Sequence, residues 1–225
     1  MNINNISLAS AFFVIAAASS SAQLVTYTFG STATPVVTAN QVADNLAASA
    51  FSGLNGSPST GGTSPLSSGS YFTATTWGDA YPGTNYFTFT LTPEAGYQFS
   101  TTSLSFNYRA TGSGPAALAI YSSANSYASP LASFASVHDS AWYASGFLSV
   151  SLTNLTTSTS FRIYGSGAES NSGTLRVDNV ILNGTVSAVP EPSTYALLGG
   201  VGVLGFTAYR RLRLRHVDLH HRVAG

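Results

Sequence analysis

Apolar and polar side chains alternate with a period of two along much of this 225-residue chain, a rhythm that suits extended strands with one face buried and one wet. Tyr86–Leu91 sets Phe87, Phe89 and Leu91 on one side of the backbone and Thr88 and Thr90 on the other. Ser103–Tyr108 does the same with Leu104, Phe106 and Tyr108, and Phe147–Leu152 aligns Leu148, Val150 and Leu152. Further strands are expected at Leu24–Phe29, Tyr71–Trp77, Ala117–Tyr121, Ser160–Tyr164 and Thr174–Leu182. About eight or nine such strands, separated irregularly by Gly, Pro, Ser and Asn, predict an all-β fold: a two-sheet antiparallel β-sandwich, jelly-roll-like in form. A short helix over Val42–Phe51 and a long exposed loop over Leu54–Ser70, where Gly, Ser, Thr and Pro dominate, complete the expectation.

Charge narrows the function classes. Only 7% of the residues are charged, against about 25% in ordinary domains, and there is neither Lys nor Cys. Without Cys there are no disulfides, thiolate metal sites or thiol nucleophiles. The net charge of zero hides a segregation. Residues 1–22 carry no charged side chain, residues 23–189 hold three Arg and six acids for a net of −3, and residues 190–225 hold five Arg and two acids for a net of +3. A mildly acidic body with three cations cannot neutralise many phosphates, so nucleic acid is not expected as a partner.

Both ends are apolar. Ile6–Ala18 is too short to span a bilayer, and small residues follow it, with Ser20 and Ala22 at −3 and −1 of a cut between Ala22 and Gln23. This predicts a secretory signal peptide over residues 1–22 and, with it, signal peptidase and the secretion machinery as partners. Near the other end, eighteen residues without a charge run from Pro192 to Tyr209, about 27 Å of helix at 1.5 Å per residue. A transmembrane helix is expected over 193–209, with Tyr195 and Tyr209 at its interfaces and Arg210, Arg211, Arg213 and Arg215 as a basic stop on the cytoplasmic side.

Val189-Pro190-Glu191-Pro192-Ser193, the Gly-rich apolar segment and the Arg cluster, in that order behind a signal peptide, resemble the PEP-CTERM sorting signal of exported bacterial proteins over residues 189–215. The resemblance implies recognition by exosortase, an integral-membrane processing enzyme with a cysteine nucleophile. It implies cutting near Pro190–Pro192 and delivery of the body from an inner-membrane-anchored precursor to the cell surface or extracellular matrix, in bacteria that secrete exopolysaccharide. The chain divides accordingly into a signal peptide (1–22), a β-sandwich (23–188), the sorting signal (189–215) and a cytoplasmic tail (216–225). The tail departs from the family pattern; its His216, His220 and His221 read as an extension without a role. A second resemblance is carried by Phe161-Arg-Ile-Tyr-Gly-Ser-Gly167 and Gly173–Gly184, which are similar to the closing strands of sandwich domains that accompany this signal and look like carbohydrate-binding-module jelly rolls.

Gly200-Val-Gly202-Val-Leu-Gly205 matches the dinucleotide fingerprint only in letters, because an apolar run and not a strand precedes it; its glycines fit membrane-helix packing. His138, Asp139 and Ser140 are consecutive, so their side chains diverge and cannot form a nucleophile–base–orienter chain. Glu94 and Glu169 lie in turn and loop sequences, which leaves a pair of facing carboxylates unsupported. Asp178 is a weak metal candidate, with a backbone hydrogen bond at a bulge as the simpler role. Sugars stack on flat aromatic faces, which makes Trp77, Tyr81, Trp142 and Tyr143 candidate glycan contacts, Asp79 and Asp139 lying beside them, although large aromatics more often pack.

The reading that follows is a non-enzymatic exported surface or matrix protein with no cofactor. Its expected partners are an exosortase-type enzyme and the membrane through its C-terminal helix. The alternatives are a carbohydrate-binding module contacting exopolysaccharide and a polysaccharide-acting hydrolase.

Overall fold

The computed structural model describes residues 22–30, 35–64, 66–78, 83, 85–190 and 200–211. The strands, in chain order, are β1 (Ala22–Tyr27), β2 (Gln41–Val42), β3 (Leu46–Ala48), β4 (Ser52–Gly53), β5 (Gly56–Ser64), β6 (Ser67–Ala74) and β7 (Tyr86–Pro93), then β8 (Tyr97–Ala110), β9 (Ala117–Ser122), β10 (Ala132–Ala135), β11 (Tyr143–Ala144), β12 (Leu148–Leu155), β13 (Thr159–Ser166) and β14 (Leu175–Ala188). A helix, α1, covers 200–211.

The strands form two antiparallel sheets. The first has eight strands with β8 and β14 at its centre. The free edge of β8 is shared by β11 and β12, and that of β14 by β6 and β1; β5 extends β6, and β2 extends β1. The second sheet orders its strands β10-β9-β13-β7-β3, with β4 also on β7. Alternation dictates which side chains meet between them. Phe87, Phe89 and Leu91 of β7 and Phe161 and Ile163 of β13 face Leu104, Phe106 and Tyr108 of β8 and Val177, Val180 and Leu182 of β14, all buried. Tyr27, Phe29, Phe51, Phe72, Phe87 and Phe89 form a chain of touching rings with neighbouring centroids 5.0–6.5 Å apart. Each such ring contributes about 1.5–3 kcal/mol by leaving water.

This is the all-β, two-sheet sandwich that the alternation predicts, and the expected strands overlap β1, β6 to β9 and β12 to β14, but those expected at Leu24–Phe29 and Tyr71–Trp77 end earlier, at Tyr27 and Ala74. Two local expectations are overturned. Val42–Phe51 is not helical: Val42 pairs with Val25 of β1, Leu46 with Pro93 of β7, and Asn45 takes a left-handed turn (φ 62°) between them. Sheet edges in need of partners outweigh the weak helical spacing of this segment. Leu54–Ser70 is not a loop: Gly56 to Ser64 pairs with Ala74 to Ser67 as a hairpin whose second strand docks on β14. Backbone hydrogen bonds hold it, and small polar side chains leave no apolar rhythm to read.

Candidate functional site

The outer face of the first sheet brings several candidate side chains together. Tyr108 of β8 points into the core, so its neighbours Asn107 and Arg109 point outward, as does Arg176, which pairs with Arg109 across the strands. Tyr143 lies opposite Tyr108 and therefore shares its inward side, while Ala144 lies opposite Asn107 on the outer face. Trp142, one residue before Tyr143, returns to the outer face. It is half-buried because its ring meets Tyr71 of β6 edge-on at 6.0 Å, and Arg176 lies 4.7 Å over the other aromatic partner, Tyr71. In sheet order β11-β8-β14-β6, that ring pair reaches over the two central strands.

Asp139 tightens the turn leading to Trp142. Its carboxylate accepts from the Ala141 N–H (2.9 Å) and the Tyr143 hydroxyl (2.7 Å), and these bonds hold its pKa below the usual carboxylate value. The Tyr143 hydroxyl is raised in turn by donating to that carboxylate. His138 places Nδ1 3.0 Å from the Gly112 carbonyl, and the Ser140 N–H donates to Ala110 O. The three consecutive residues thus engage separate partners.

Further along the same face a groove of about 430 Å³ is lined by Ser105, Asn107, Ala144, Asn179, Ile181 and Phe147, among others. Phe147 is 80% exposed. Sequence reasoning counted it as an ordinary strand residue and overlooked it; the preceding Gly146 was the available sign of a break in the strand.

The other sequence candidates distribute as follows. Trp77 is in the core at 3% exposure, its indole N–H donating to Ala74 O at 3.1 Å and its ring edge-on to Phe87, so no ring face is open to a sugar. The turn after β6 brings it inward although its sequence neighbours are polar. Asp79 and Tyr81 lie outside the described residues. Asp178 is fully buried, and its Oδ1 accepts from the Asn179 N–H at 2.7 Å where β14 shifts register. Among the described residues no three His, Asp or Glu side chains cluster as a metal site. Ala22 and Gln23 are exposed at the start of β1, paired with Gly184 and Asn183; the preceding signal-peptide residues lie outside the described residues.

At the C-terminal end, β14 stops at Ala188, and the Val189 N–H donates to Gly96 O (2.8 Å) in the turn between β7 and β8. Val189 and Pro190 are exposed. Residues 188–213 match the PEP-CTERM protein-sorting motif. The motif therefore opens on the last residue of the sandwich and marks an exported, membrane-processed protein. Glu191, Pro192, Arg213, Arg215 and the His-containing tail from 216 lie outside the described residues, as does 193–199 of the expected membrane helix. Within the motif α1 runs through 200–211, about 18 Å at 1.5 Å per residue, and includes Arg210 and Arg211 at its end. Among the described residues no helix is long and apolar enough to cross a membrane.

The body is similar in fold to several solved sandwiches. One is a xylan-binding domain from Paenibacillus barcinonensis, at 12% identity over 76% of this chain and 100% of that one, with a TM-score of 0.47. Another is the cleaved adhesin domain of Lys-gingipain from Porphyromonas gingivalis, at 13% identity over 73% and 99%, with a TM-score of 0.36. A third is a family 11 carbohydrate-binding module from Clostridium thermocellum, at 14% identity over 71% and 95%, with a TM-score of 0.31. No curated protein matches the chain by sequence.

Proposed function

We propose that this is a non-enzymatic exported protein of the cell surface or extracellular matrix, delivered as a β-sandwich and processed through its C-terminal PEP-CTERM motif by an exosortase-type enzyme. The observation that carries the proposal is the matched motif at 188–213, which begins where β14 ends. The N-terminal signal sends the body across the membrane, and the apolar stretch ending in Arg210 and Arg211 holds the precursor there until it is cut near Pro190–Pro192. Two things support a non-enzymatic body. The His138 ring faces a backbone carbonyl, and Asp139 is satisfied by a backbone N–H and a tyrosine hydroxyl, so neither is presented as an acid–base pair.

The test is the mass of the mature protein from producing cells with and without the processing enzyme. The proposal expects a C-terminus near residue 190 in the first case and retention of the Arg-rich segment in the second. An Arg-rich C-terminus in both strains contradicts it.

A second reading, that the sandwich holds exopolysaccharide, is favoured by the exposed Phe147 beside an open groove on the face that also carries Trp142.

A further inference from the structure

The groove has a cause in the strand pairing. Along β14, Asp178 lies opposite Asn107 and Ile181 opposite Ser105, so three steps on β14 are matched by two on β8. On the other side, Ala144 lies opposite Asn107 and Leu148 opposite Leu104, four steps against three. Both neighbours of β8 therefore carry one extra residue at the same level. Each detour contains a left-handed residue, Asn179 (φ 51°) and Gly146 (φ 69°). A bulge bends its strand and re-aims a side chain. Two bulges facing each other across one strand open a trough over Ser105 and Asn107, and one of them turns Phe147 out into solvent.

The lining suits one kind of ligand. It contains no charged side chain. Asn107 and Asn179 both direct Nδ2 at the Leu66 carbonyl, at 2.6 and 3.5 Å, a bond that fixes the Asn107 amide and a longer contact that orients Asn179. Their Oδ1 atoms receive no donor among the described residues. The site is thus a concave, mostly apolar surface with a few held polar groups, and its volume of about 430 Å³ lies within the usual range for ligand sites.

We infer that this trough is the binding site for a neutral polysaccharide, one sugar ring laying its C–H face on Phe147 while its hydroxyls donate to Asn107 and Asn179. The inference rests on the polysaccharide-binding reading of the sandwich. Trp142 lies on the same face: from Tyr143 to Leu148 the chain advances only four residues along β8, from Tyr108 to Leu104, about 13 Å at 3.3 Å per residue. A ligand running along β8 from Phe147 would reach it, so the site takes a chain of sugars, not a single ring.

The experiment uses residues 23–189, which hold every core residue from Leu24 to Leu182. The fragment is run in native gels cast with xylan, barley β-glucan, galactomannan or dextran, and with alginate as an acidic glycan. The expected result is retardation by at least one neutral polysaccharide that persists in 1 M salt. Phe147→Ala should weaken it tenfold or more and Trp142→Ala less, while Phe147→Trp retains it. Thermal unfolding checks that each variant is folded; Phe147 is exposed enough for truncation to leave the core intact. Binding that Phe147→Ala leaves unchanged overturns the trough but keeps the polysaccharide reading. Retardation by alginate alone overturns the neutral ligand class. No retardation in any gel overturns the polysaccharide reading and the trough together.

Discussion

Arg162 illustrates how much a single side chain can organise where charge is scarce. Its guanidinium carbon sits 4.1 Å from the Tyr86 ring and 3.9 Å from the Tyr127 ring, and Nη1 donates to the Tyr164 hydroxyl at 3.1 Å. Tyr164 in turn packs against Tyr86 and Tyr121. Flat and delocalised, a guanidinium fits between two rings in a way that an ammonium does not. The arrangement leaves the Arg162 Nε buried without a hydrogen-bond partner, a cost set against the ring contacts. Arg162→Ala should therefore lower stability by about 1–3 kcal/mol, and Arg162→Lys should recover only part of it. Chemical denaturation reads both, and equal stability of the Lys variant and the natural protein contradicts the stacking account. None of this was legible in the sequence, because Tyr86, Tyr121 and Tyr164 are brought together by strand pairing and Tyr127 by the turn that follows β9. The two tryptophans teach the same lesson. Their contexts look alike in sequence, yet a turn inserts Trp77 into the core and leaves Trp142 on the outer face.

At the scale of elements, legibility followed side-chain contrast. β7 and β8 could be read residue by residue because Phe and Leu alternate with Thr, Ser and Asn. The β5–β6 hairpin could not, since β5 is built of Gly, Ser, Thr and one Pro and its pairing lives in the backbone. The register shifts that shape the outer face were equally silent, apart from glycines inside strand-like runs. Gly184 of β14 is one of these. A methyl group there would meet the Ser100 carbonyl oxygen of β8 and lie 2.7 Å from Leu24 Cδ1, so β8 would have to shift and the Leu24 side chain to turn aside. Gly184→Ala is expected to cost about 1–3 kcal/mol. Gly78→Ala, where the nearest atom is 4.0 Å away, should be close to neutral. Melting temperatures separate them, at about 2–4 °C per kcal/mol for a chain of this size. Equal melting of the two variants would show that β8 yields freely.

Across the whole molecule, the sandwich carries its own core, and the described residues of the sorting segment add nothing to it. The buried cluster runs from Leu24 to Leu182, whereas every residue of α1 is exposed. Residues 23–189 alone should accordingly be soluble and unfold in one cooperative transition, as single domains do. Aggregation, or a broad transition restored by adding residues 190–211, would show that the C-terminal segment is part of the fold. The segregation of charge, a net of −3 in the body and +3 behind it, follows the same division and could be read at once. The hydrogen bond from Val189 to Gly96 carries the sandwich's own pairing up to the residue before Pro190. On the proposed route, the cutting enzyme would therefore meet a substrate whose last pinned residue stands immediately before the cut.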